Sequence, residues 1–219
     1  MARKPYLEAA IFDFDETLID LEREHTAADE RLCRAMGSRY ADMPEEFRNA
    51  SGRRIIDDIR DMREFFGWTS PIDQLLAERQ RYFDEEIAAS SDLELMPGAR
   101  RIILELHARG ILLAVASSAV RSSIETILAR FDLLRYFAAI IDGSEVTRGK
   151  PDPEVYFVTA GRLGVDPAHC VVFEDSTLGV RAAKAAGMFC IAVRNPSAQT
   201  FQDLTPADIV VSSFDEVIF

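Results

Sequence analysis

The sequence predicts an α/β protein in which helices cover both faces of a parallel sheet, with a helical bundle inserted after the first strand. From about residue 95 onwards, short apolar runs alternate with helical patterns. Repeated βα units of this kind form parallel sheets that are covered on both sides. Between residues 20 and 90, apolar side chains recur at helical spacing. We therefore expect a doubly wound parallel-sheet, Rossmann-like core formed by residues 1–19 and 92–219, and a helical domain formed by residues 20–91.

The first strand is predicted at Ala9–Phe12, where both faces are apolar, as in a buried strand of a parallel sheet. Asp13 and Asp15 follow directly, at the strand end where open α/β sheets bind their ligands. Two carboxylates this close repel each other unless one is protonated, a cation lies between them or solvent screens both. The alternative interpretation is an ordinary polar turn after a strand. The residues at the other predicted strand ends decide between a polar turn and a ligand-binding site.

The inserted segment is predicted to contain four helices. One helix lies between Gly52 and Gly67, and the next begins at Ser70-Pro71, with serine as its cap and proline in its first turn. Arginine, glutamate and aspartate cover the faces outside the two apolar stripes. The stripes consist of Ile55, Ile56, Ile59, Met62, Phe65 and Phe66, and of Ile72, Leu75, Leu76, Phe83 and Ile87.

The rest of the chain alternates between helices and strands. A helix starts at Pro97 and ends at Gly110, where glycine is typical of a helix end. Apolar runs predict strands over residues 111–116, 138–141, 170–173, 189–193 and 208–211. Helical patterns predict helices over residues 120–131, 153–163 and 176–186, between successive strands.

Composition excludes several classes of function. No apolar run in the 219 residues approaches the ~20 residues of a membrane span, and the N-terminus enters a strand rather than a signal-peptide core. We therefore expect a soluble, cytoplasmic protein, a monomer or weak dimer, without a membrane partner. The net charge of −12 argues against a nucleic-acid partner, which requires a basic face.

The cysteines and histidines do not form a metal-binding pattern. Cys33, Cys170 and Cys190 are odd in number and lack CxxC spacing, which favours buried, reduced thiols. The three histidines include no helical pair four residues apart. Any metal is therefore expected to have oxygen ligands.

Polar residues follow three other predicted strands. Ser117-Ser118 ends the second strand, a loop with Lys150 follows the third, and Glu174-Asp175 ends the fourth. The carboxyl ends of parallel strands meet at one rim, so these side chains should lie near the first two aspartates. Taken singly, a serine or an acid at a helix start is usually a cap, and a loop lysine is usually solvated. A serine hydroxyl and the following amide can also form an oxyanion pocket.

The number of acids at this rim argues for a cation. Asp13, Asp15, Glu174 and Asp175 would crowd around one lysine, and each like-charged pair costs ~4 kcal/mol at ~4 Å and an effective dielectric constant of ~20. A divalent cation removes this conflict. Mg²⁺ suits a small oxygen-only cluster, because it keeps several waters and accepts a substrate phosphate as a further ligand. Carboxylates, Mg²⁺, a lysine and a serine amide together indicate a phosphoryl-transfer site.

With these motifs in order, the chain resembles the haloacid dehalogenase-like hydrolase superfamily. The resemblance covers essentially the whole chain and rests on Asp13-Phe14-Asp15-Glu16-Thr17, Ser117, Lys150 and Glu174-Asp175. The helical insertion resembles the cap domain of the subgroup that contains β-phosphoglucomutase and many sugar-phosphate phosphatases. His25, twelve residues after Asp13, matches a histidine that is frequent in that subgroup.

The resemblance implies a role for each of these residues in phosphoryl transfer. Asp13 would be the nucleophile that becomes an aspartyl-phosphate. Asp15 would protonate the leaving oxygen and then take a proton from the attacking water. The phosphoryl oxygens would be held by Ser117, Ser118 and Lys150.

The resemblance also implies a metal site and two functional residues of the cap. The ligands of Mg²⁺ would be Asp13, the carbonyl of Asp15 and Asp175, with Glu174 as a further ligand or as a support of the ligands. Arg54 would reach the substrate, and His25 would latch the closed cap. A solvated arginine and a partly buried structural histidine are the alternatives.

One residue departs from the family pattern, which usually has glycine where this chain has Glu16. Glycine permits unrestricted backbone angles, whereas Glu16 adds a side chain and a charge near the mouth of the site. We expect Glu16 to be tolerated and to point toward the cap or the solvent.

The leading hypothesis is a Mg²⁺-dependent phosphatase that hydrolyses a small phosphomonoester, with a sugar phosphate as the favoured substrate class. A hexose phosphomutase of the β-phosphoglucomutase type is the first alternative, because it uses the same aspartyl-phosphate and differs only in cap residues. A receiver-like signalling module is a more distant alternative. Such modules also bring acids, a hydroxyl and a lysine together at the edge of a parallel sheet. Their acceptor aspartate, however, lies on a strand in the middle of the chain, whereas Asp13 and Asp15 follow the first strand here.

Overall fold

The computed structural model describes residues 7–48, 52–196, 198 and 201–219, and its centre is a six-stranded sheet. The strands are β1 (Ala9–Phe12), β2 (Leu112–Ala116), β3 (Ala139–Ile141), β4 (Cys170–Glu174), β5 (Phe189–Val193) and β6 (Ile209–Val211). Their spatial order is β3-β2-β1-β4-β5-β6, and all neighbours run parallel. The first strand therefore lies in the middle of the sheet.

The helices of the described residues fall into two groups. Between β1 and β2 the chain forms α1 (Glu22–Ala35), α2 (Glu45–Arg48), α3 (Ile55–Phe66) and α4 (Ile72–Ala89), which we call the cap helices. Around the sheet it forms α5 (Ala99–Ala108), α6 (Arg121–Arg130), α7 (Glu154–Leu163) and α8 (Thr177–Ala185). The predicted doubly wound α/β core with an inserted helical cap is therefore confirmed.

Two predicted helix starts are wrong. The helix expected at Pro97 begins at Ala99, because Gly98 adopts a left-handed φ of 80° in front of it. Pro71, not Ser70, precedes α4, and no side chain caps that helix. The carbonyl of Ser70 instead accepts a hydrogen bond of 3.0 Å from Nε of Arg63. Ser70 therefore belongs to the turn between α3 and α4.

The first strand is buried on both faces, as its sequence predicts. Ala10 and Phe12 belong to the apolar cluster on one side of the sheet, and Ala9 and Ile11 to the cluster on the other. The ring of Phe12 stacks on that of Phe173 in β4, with 4.7 Å between centroids. Burial of each large side chain stabilises the fold by roughly 1.5–3 kcal/mol. This packing fixes the carboxyl end of β1, where the acidic residues begin.

The chain leaves the core for the cap helices and returns to the core at one place. Ile19 pairs with Leu95 in an antiparallel bridge, and the amide of Met96 donates a hydrogen bond of 2.9 Å to the carbonyl of Leu18. The cap helices are thus connected to the core by two adjacent segments. The division into residues 1–19 with 92–219 and residues 20–91 stays a prediction, although these two segments lie close to the proposed boundaries.

The three cysteines, Cys33, Cys170 and Cys190, are buried and free, as expected. Within the described residues, no helix has the length and apolar character that crossing a membrane requires.

Candidate active site

Four predicted site residues from distant parts of the chain meet at the carboxyl ends of β1 and β4. Asp13 follows β1, and Glu174 and Asp175 stand at the end of β4. Nζ of Lys150 lies 2.6 Å from Oδ1 of Asp13 and 2.5 Å from Oε1 of Glu174. The structure therefore brings together the acids and the lysine that the sequence placed at one rim.

Glu174 is fully buried, and protein donors occupy both of its carboxylate oxygens. Oε1 accepts hydrogen bonds from Lys150 and from the hydroxyl of Tyr156, at 2.5 and 2.6 Å. Oε2 accepts one of 3.1 Å from Oγ of Ser176 and longer ones from two backbone amides. Glycine is required at position 179, because a Cβ there would lie 1.8 Å from Oε1 of Glu174. Tyr156 and the two residues before α8 thus hold Glu174, which in turn orients Lys150.

Lys150 keeps its charge in this buried position. Burial lowers the pKa of Lys150, but the adjacent carboxylates of Asp13 and Glu174 outweigh burial and raise the pKa above its ordinary value. A charged ammonium therefore contacts one oxygen of Asp13 and leaves the other oxygen facing away from it. This arrangement fixes the rotamer of Asp13 and supplies positive charge beside it.

The protein alone does not supply enough positive charge near Asp13 and Asp175 to keep both carboxyl groups ionised. Burial raises the pKa of Asp13 to about 7 and raises that of Asp175 well above its ordinary value. Oδ2 of Asp175 is buried and accepts no hydrogen bond from the described residues. One carboxylate oxygen each from Asp13, Glu174 and Asp175 lies within 4.8 Å of the others. An oxygen-only cluster of buried acids with an unpaired oxygen fits a hard divalent cation, which would keep the acids ionised.

Sequence reasoning missed the role of Thr17, although it lies within the first motif. Its Oγ1 donates a hydrogen bond of 2.7 Å to Oδ1 of Asp175 and lies 3.3 Å from Oδ2 of Asp13. The residue is completely buried. Its hydroxyl joins the loop after β1 to the end of β4 and leaves the second oxygen of Asp175 for another partner. A threonine two residues after Asp15 was the available signal. Tyr156 gave none, because an aromatic residue on an apolar helix face usually belongs to the core.

Asp15 lies further out, beneath the cap helices. Nε2 of His25 in α1 is 3.4 Å from Oδ1 of Asp15. On the other side of the ring, Nδ1 of His25 lies 2.9 Å from Nη2 of Arg79 in α4. Because a guanidinium can only donate hydrogen bonds, Nδ1 must accept, and the ring proton is on Nε2, facing Asp15. Arg79, which sequence reasoning missed, is buried and is held by a bond of 2.8 Å to Asp29.

The two predicted serines lie at the end of the neighbouring strand. Phe12 pairs with Val115, which sets Ser117 beside the loop that follows β1. Oγ of Ser117 accepts a hydrogen bond of 3.0 Å from the amide of Ala119, so its own proton can be donated to a ligand. Ser117 does not cap α6, which begins four residues later after Val120. Ser118 lines the cleft between the core and the cap.

This cleft has a volume of about 110 Å³ and has walls from both parts of the molecule. The core contributes Asp13, Asp15, Glu16 and Ser118. The cap helices and their connections contribute acids, arginines and apolar residues, among them Glu22, His25, Asp29, Tyr40, Arg53, Asp58 and Arg79. The acids Asp13 and Asp15 thus line a cleft between the core and the cap helices.

The structure does not bring Arg54 to this cleft, against the sequence-based expectation. Its Nε lies 2.8 Å from Asp57, and its Nη1 donates a hydrogen bond of 2.8 Å to the carbonyl of Thr147 in the core. These bonds turn the guanidinium toward the seam between cap and core. Arg53, its neighbour, lines the cleft and pairs with Asp58 at 3.3 Å.

Glu16 points into the cleft. Of the two predicted orientations, its side chain therefore has the one toward the cap and not the one toward the solvent. Its side chain is enclosed, with 9 % of the residue exposed, and its φ is 62°. The carboxyl forms a hydrogen bond with that of Glu22 in α1. Burial, followed by the charge of Asp175 and the bond to Glu22, raises the pKa of Glu16 to about 10.

Comparison with known proteins gives the class of this site. The sequence model of the haloacid dehalogenase-like hydrolase family matches residues 7–187, and the chain belongs to that family. It is similar to the validoxylamine A 7'-phosphate phosphatase of Streptomyces hygroscopicus subsp. limoneus, with 32 % identity over 96 % of this chain and 95 % of that protein. It is 34 % identical to hexitol phosphatase B of Escherichia coli K12, over 95 % and 93 % of the two chains.

Solved structures show the same architecture. The CbbY protein of Rhodobacter sphaeroides, solved in complex with phosphate, superimposes with a TM-score of 0.82 and 27 % identity, and 96 % of each chain is covered. The relatives of this chain also include a phosphorylated-carbohydrate phosphatase and a β-phosphoglucomutase. The predicted superfamily and cap subgroup are therefore confirmed, and the chain is a hydrolase of that family.

Proposed function

We propose that this enzyme is a Mg²⁺-dependent phosphatase that hydrolyses a small phosphorylated carbohydrate through an aspartyl-phosphate. The observation that carries the proposal is the position of Asp13 at the floor of the cleft. Lys150 holds one of its oxygens, and Oδ2 of the nearby Asp175 has no hydrogen-bond partner among the described residues. Membership in a hydrolase family with phosphatase relatives supports an enzyme over a receiver-like signalling module.

In the first half of the reaction, the carboxylate oxygen of Asp13 that Lys150 does not contact attacks phosphorus, and the bond from phosphorus to the leaving alcohol breaks. Asp15 gives its proton to the leaving oxygen. In the second half, Asp15 takes a proton from water, the water oxygen attacks phosphorus, and the carboxylate of Asp13 leaves. The products are the alcohol and inorganic phosphate, and both residues return to their starting states.

The residues around Asp13 hold the transferring group. Lys150 and the hydroxyl of Ser117 stabilise the phosphoryl oxygens, together with Ser118 at the start of the following turn. Phosphoryl transfer depends mainly on such positioning and charge stabilisation. His25 faces Asp15 from the cap side, with 3.4 Å between its Nε2 and Oδ1 of the carboxyl. Arg54 joins cap and core when the cleft is closed and water is excluded.

Asp13, the carbonyl of Asp15 and Asp175 would hold Mg²⁺. Bound there, the cation supplies positive charge for the phosphoryl oxygens and keeps the acids ionised. Glu174 supports the site from behind, because Lys150, Tyr156 and Ser176 already occupy its oxygens.

The proposal is tested with p-nitrophenyl phosphate in the presence and absence of Mg²⁺, using wild type and Asp13→Asn. We expect Mg²⁺-dependent release of phosphate from the wild type and a loss on the order of 10³-fold or more in the variant. Equal activity of the two proteins would end the assignment of Asp13 as nucleophile. A screen of phosphorylated carbohydrates for phosphate release then identifies the substrate.

The mutase alternative has a separate test. A β-phosphoglucomutase-type enzyme would convert β-glucose 1-phosphate into glucose 6-phosphate without net release of phosphate. We expect phosphate release to dominate. The absence of nucleic-acid and membrane partners, the cytoplasmic location and the monomeric or weakly dimeric state stay predictions of the sequence.

A further inference from the structure

We propose that Glu154, the first residue of α7, is a positioning residue that couples closure of the cap to the placement of Lys150. Its carboxylate holds the loop before Lys150 in the conformation that Arg54 of the cap contacts. The inference rests on the proposed phosphatase function, in which Lys150 holds Asp13 and the phosphoryl oxygens. It adds a residue that is not among those that line the cleft.

Glu154 holds the loop between β3 and α7, which contains no helix or strand and carries Lys150 near its end. Backbone groups without regular pairing need other partners. Oε1 of Glu154 accepts a hydrogen bond of 2.9 Å from the amide of Thr147, and Oε2 accepts one of 3.0 Å from the amide of Arg148. The hydroxyl of Thr147 and Nε of Arg148 donate further bonds of 2.9 and 3.2 Å to Oε2. One carboxylate thus holds two successive residues of the loop.

The carboxylate of Glu154 is charged when it accepts these bonds. Hydrogen bonds from the amide and the hydroxyl of Thr147 lower the pKa of Glu154 to about 2. Hydrogen bonds to an ionised acceptor are stronger than those between neutral groups. Glu154 is therefore a suitable anchor for a loop that would otherwise sample several conformations.

The cap contacts the same part of the loop. Nη1 of Arg54 donates a hydrogen bond of 2.8 Å to the carbonyl of Thr147, the residue whose amide Glu154 holds. The side chain of Arg54 also lies against Gly149, since a Cβ at Gly149 would be 3.0 Å from Cγ and Nε of Arg54. The next residue is Lys150. Arg54 can make this bond only while the carbonyl of Thr147 stays where Glu154 holds it.

The position of Lys150 depends on this loop at one end and on the acids at the other. Its Nζ contacts Asp13 and Glu174, whereas its backbone belongs to the loop that Glu154 and Arg54 hold. Misplacement of a catalytic group by about 1 Å can cost about 100-fold in rate. Because Glu154 and Arg54 act on the same loop, loss of one should remove most of what the other contributes.

The first test is a double-mutant cycle with p-nitrophenyl phosphate and Mg²⁺, using wild type, Glu154→Ala, Arg54→Met and the double variant. We expect each single change to lower kcat/KM about tenfold, which corresponds to about 1.4 kcal/mol. The double variant should stay within about threefold of the less active single variant, whereas independent effects would multiply to about 100-fold. A loss of about 100-fold in the double variant, or wild-type activity in Glu154→Ala, would overturn the inference.

The second test observes the loop without measuring activity. Arg148 is exposed and precedes Gly149, so trypsin can cleave between them once the loop opens, whereas Pro151 protects the bond after Lys150. In the full-length protein under native conditions, Glu154→Ala should speed cleavage after Arg148 by about fivefold or more, because local opening becomes easier. An unchanged cleavage rate would show that Glu154 does not hold the loop.

Asp166→Ala is the matched control. The carboxylate of Asp166 also accepts an amide hydrogen bond, of 2.8 Å from Ala168, but it lies before β4, whose other end carries the site. We expect wild-type kcat/KM and wild-type cleavage after Arg148 in this variant. Changes as large as those of Glu154→Ala would reflect a general loss of stability and would overturn the inference. Absence of phosphate release from the wild type would instead overturn the proposed function, which the cleavage rates do not address.

Discussion

Thr17 and Asp175 are joined by a buried hydrogen bond of 2.7 Å across 158 positions of sequence. The bond connects the loop after the central strand to the end of the adjacent strand β4. It holds one oxygen of Asp175, and the other accepts no hydrogen bond from the part of the chain that the structure describes. The geometry of the acidic cluster is therefore set before any cation binds, and small changes at Thr17 should alter metal binding.

We expect Thr17→Val to weaken the metal site and the fold. Loss of the hydroxyl leaves Oδ1 of Asp175 buried and unpaired, which costs about 1–3 kcal/mol of stability. The Mg²⁺ concentration for half-maximal activity should rise. Thr159→Val is the control, because Thr159 is equally buried but its hydroxyl donates a hydrogen bond to the carbonyl of Val155 in its own helix. A similar change in Mg²⁺ requirement in both variants would contradict the role given to Thr17.

We expect Gly179→Ala to inactivate the enzyme. The new Cβ would lie 1.8 Å from Oε1 of Glu174, so the carboxylate must move and Lys150 loses its support. Activity should fall about tenfold or more. Gly161→Ala is the matched control in α7, where a Cβ meets nothing within 4 Å. That change should raise the free energy of unfolding by roughly 0.5–1 kcal/mol through helix propensity, with kcat/KM unaltered. Wild-type activity in Gly179→Ala would show that Glu174 is not needed in this position.

Replacing Arg53 and replacing Arg54 should have different effects on the activity. Arg54→Met removes the bond to the carbonyl of Thr147 at the seam of cap and core. We expect kcat to fall by a similar factor for every substrate, because closure precedes the chemistry. Arg53→Met changes the wall of the cleft and should alter the relative kcat/KM values of different substrates. Altered selectivity in Arg54→Met would instead show that Arg54 contacts the substrate, as the sequence suggested.

Asp57 and Asp58 should give opposite pH dependences of stability. Burial raises the pKa of Asp58 to about 7, so the folded state binds its proton more tightly than the unfolded state does. The stability contributed by protonated Asp58 is present below about pH 4 and is lost as the pH rises through about 7. Asp58→Asn should therefore become more stable relative to wild type over this range, by about 1 kcal/mol or more.

The neighbouring acid supplies the control for that experiment. Burial alone would raise the pKa of Asp57, but its hydrogen bonds and ion pairs with Arg54 and Arg60 outweigh burial and lower it. Its stabilising contribution is present above the ordinary pKa and is lost as the pH falls through the lowered one. Asp57→Asn should thus be less stable than wild type at neutral pH, and the difference should shrink in acid. Denaturant unfolding between pH 3 and 8 measures both effects, and parallel curves would contradict the assignment.

The local sequence pattern was sufficient to predict the strands and most of the polar residues at the carboxyl edge of the sheet. The apolar run Ala9–Phe12 predicted a strand buried on both faces, and the polar residues that follow parallel strands share one edge of the sheet. This geometric rule placed Asp13, Lys150, Glu174 and Asp175 together without any knowledge of side-chain contacts. The helix starts predicted at Pro97 and Ser70 were wrong, since the backbone angles of one or two residues decide where a helix begins.

The sequence by itself determined the fold class, the family and the group of acids, because periodicity and spacing are properties of the chain. Only the tertiary structure decided which neighbours each group has. Arg53 and Arg54 are adjacent and have the same side chain. At the start of α3, however, Arg54 lies at the seam between cap and core, whereas Arg53 lines the cleft. Thr17, Tyr156 and Arg79 gained their roles from partners far away in sequence, and Glu16 was enclosed by α1 rather than exposed. Hydrogen bonds and burial depend on distances between side chains, and those distances exist only once the chain has folded.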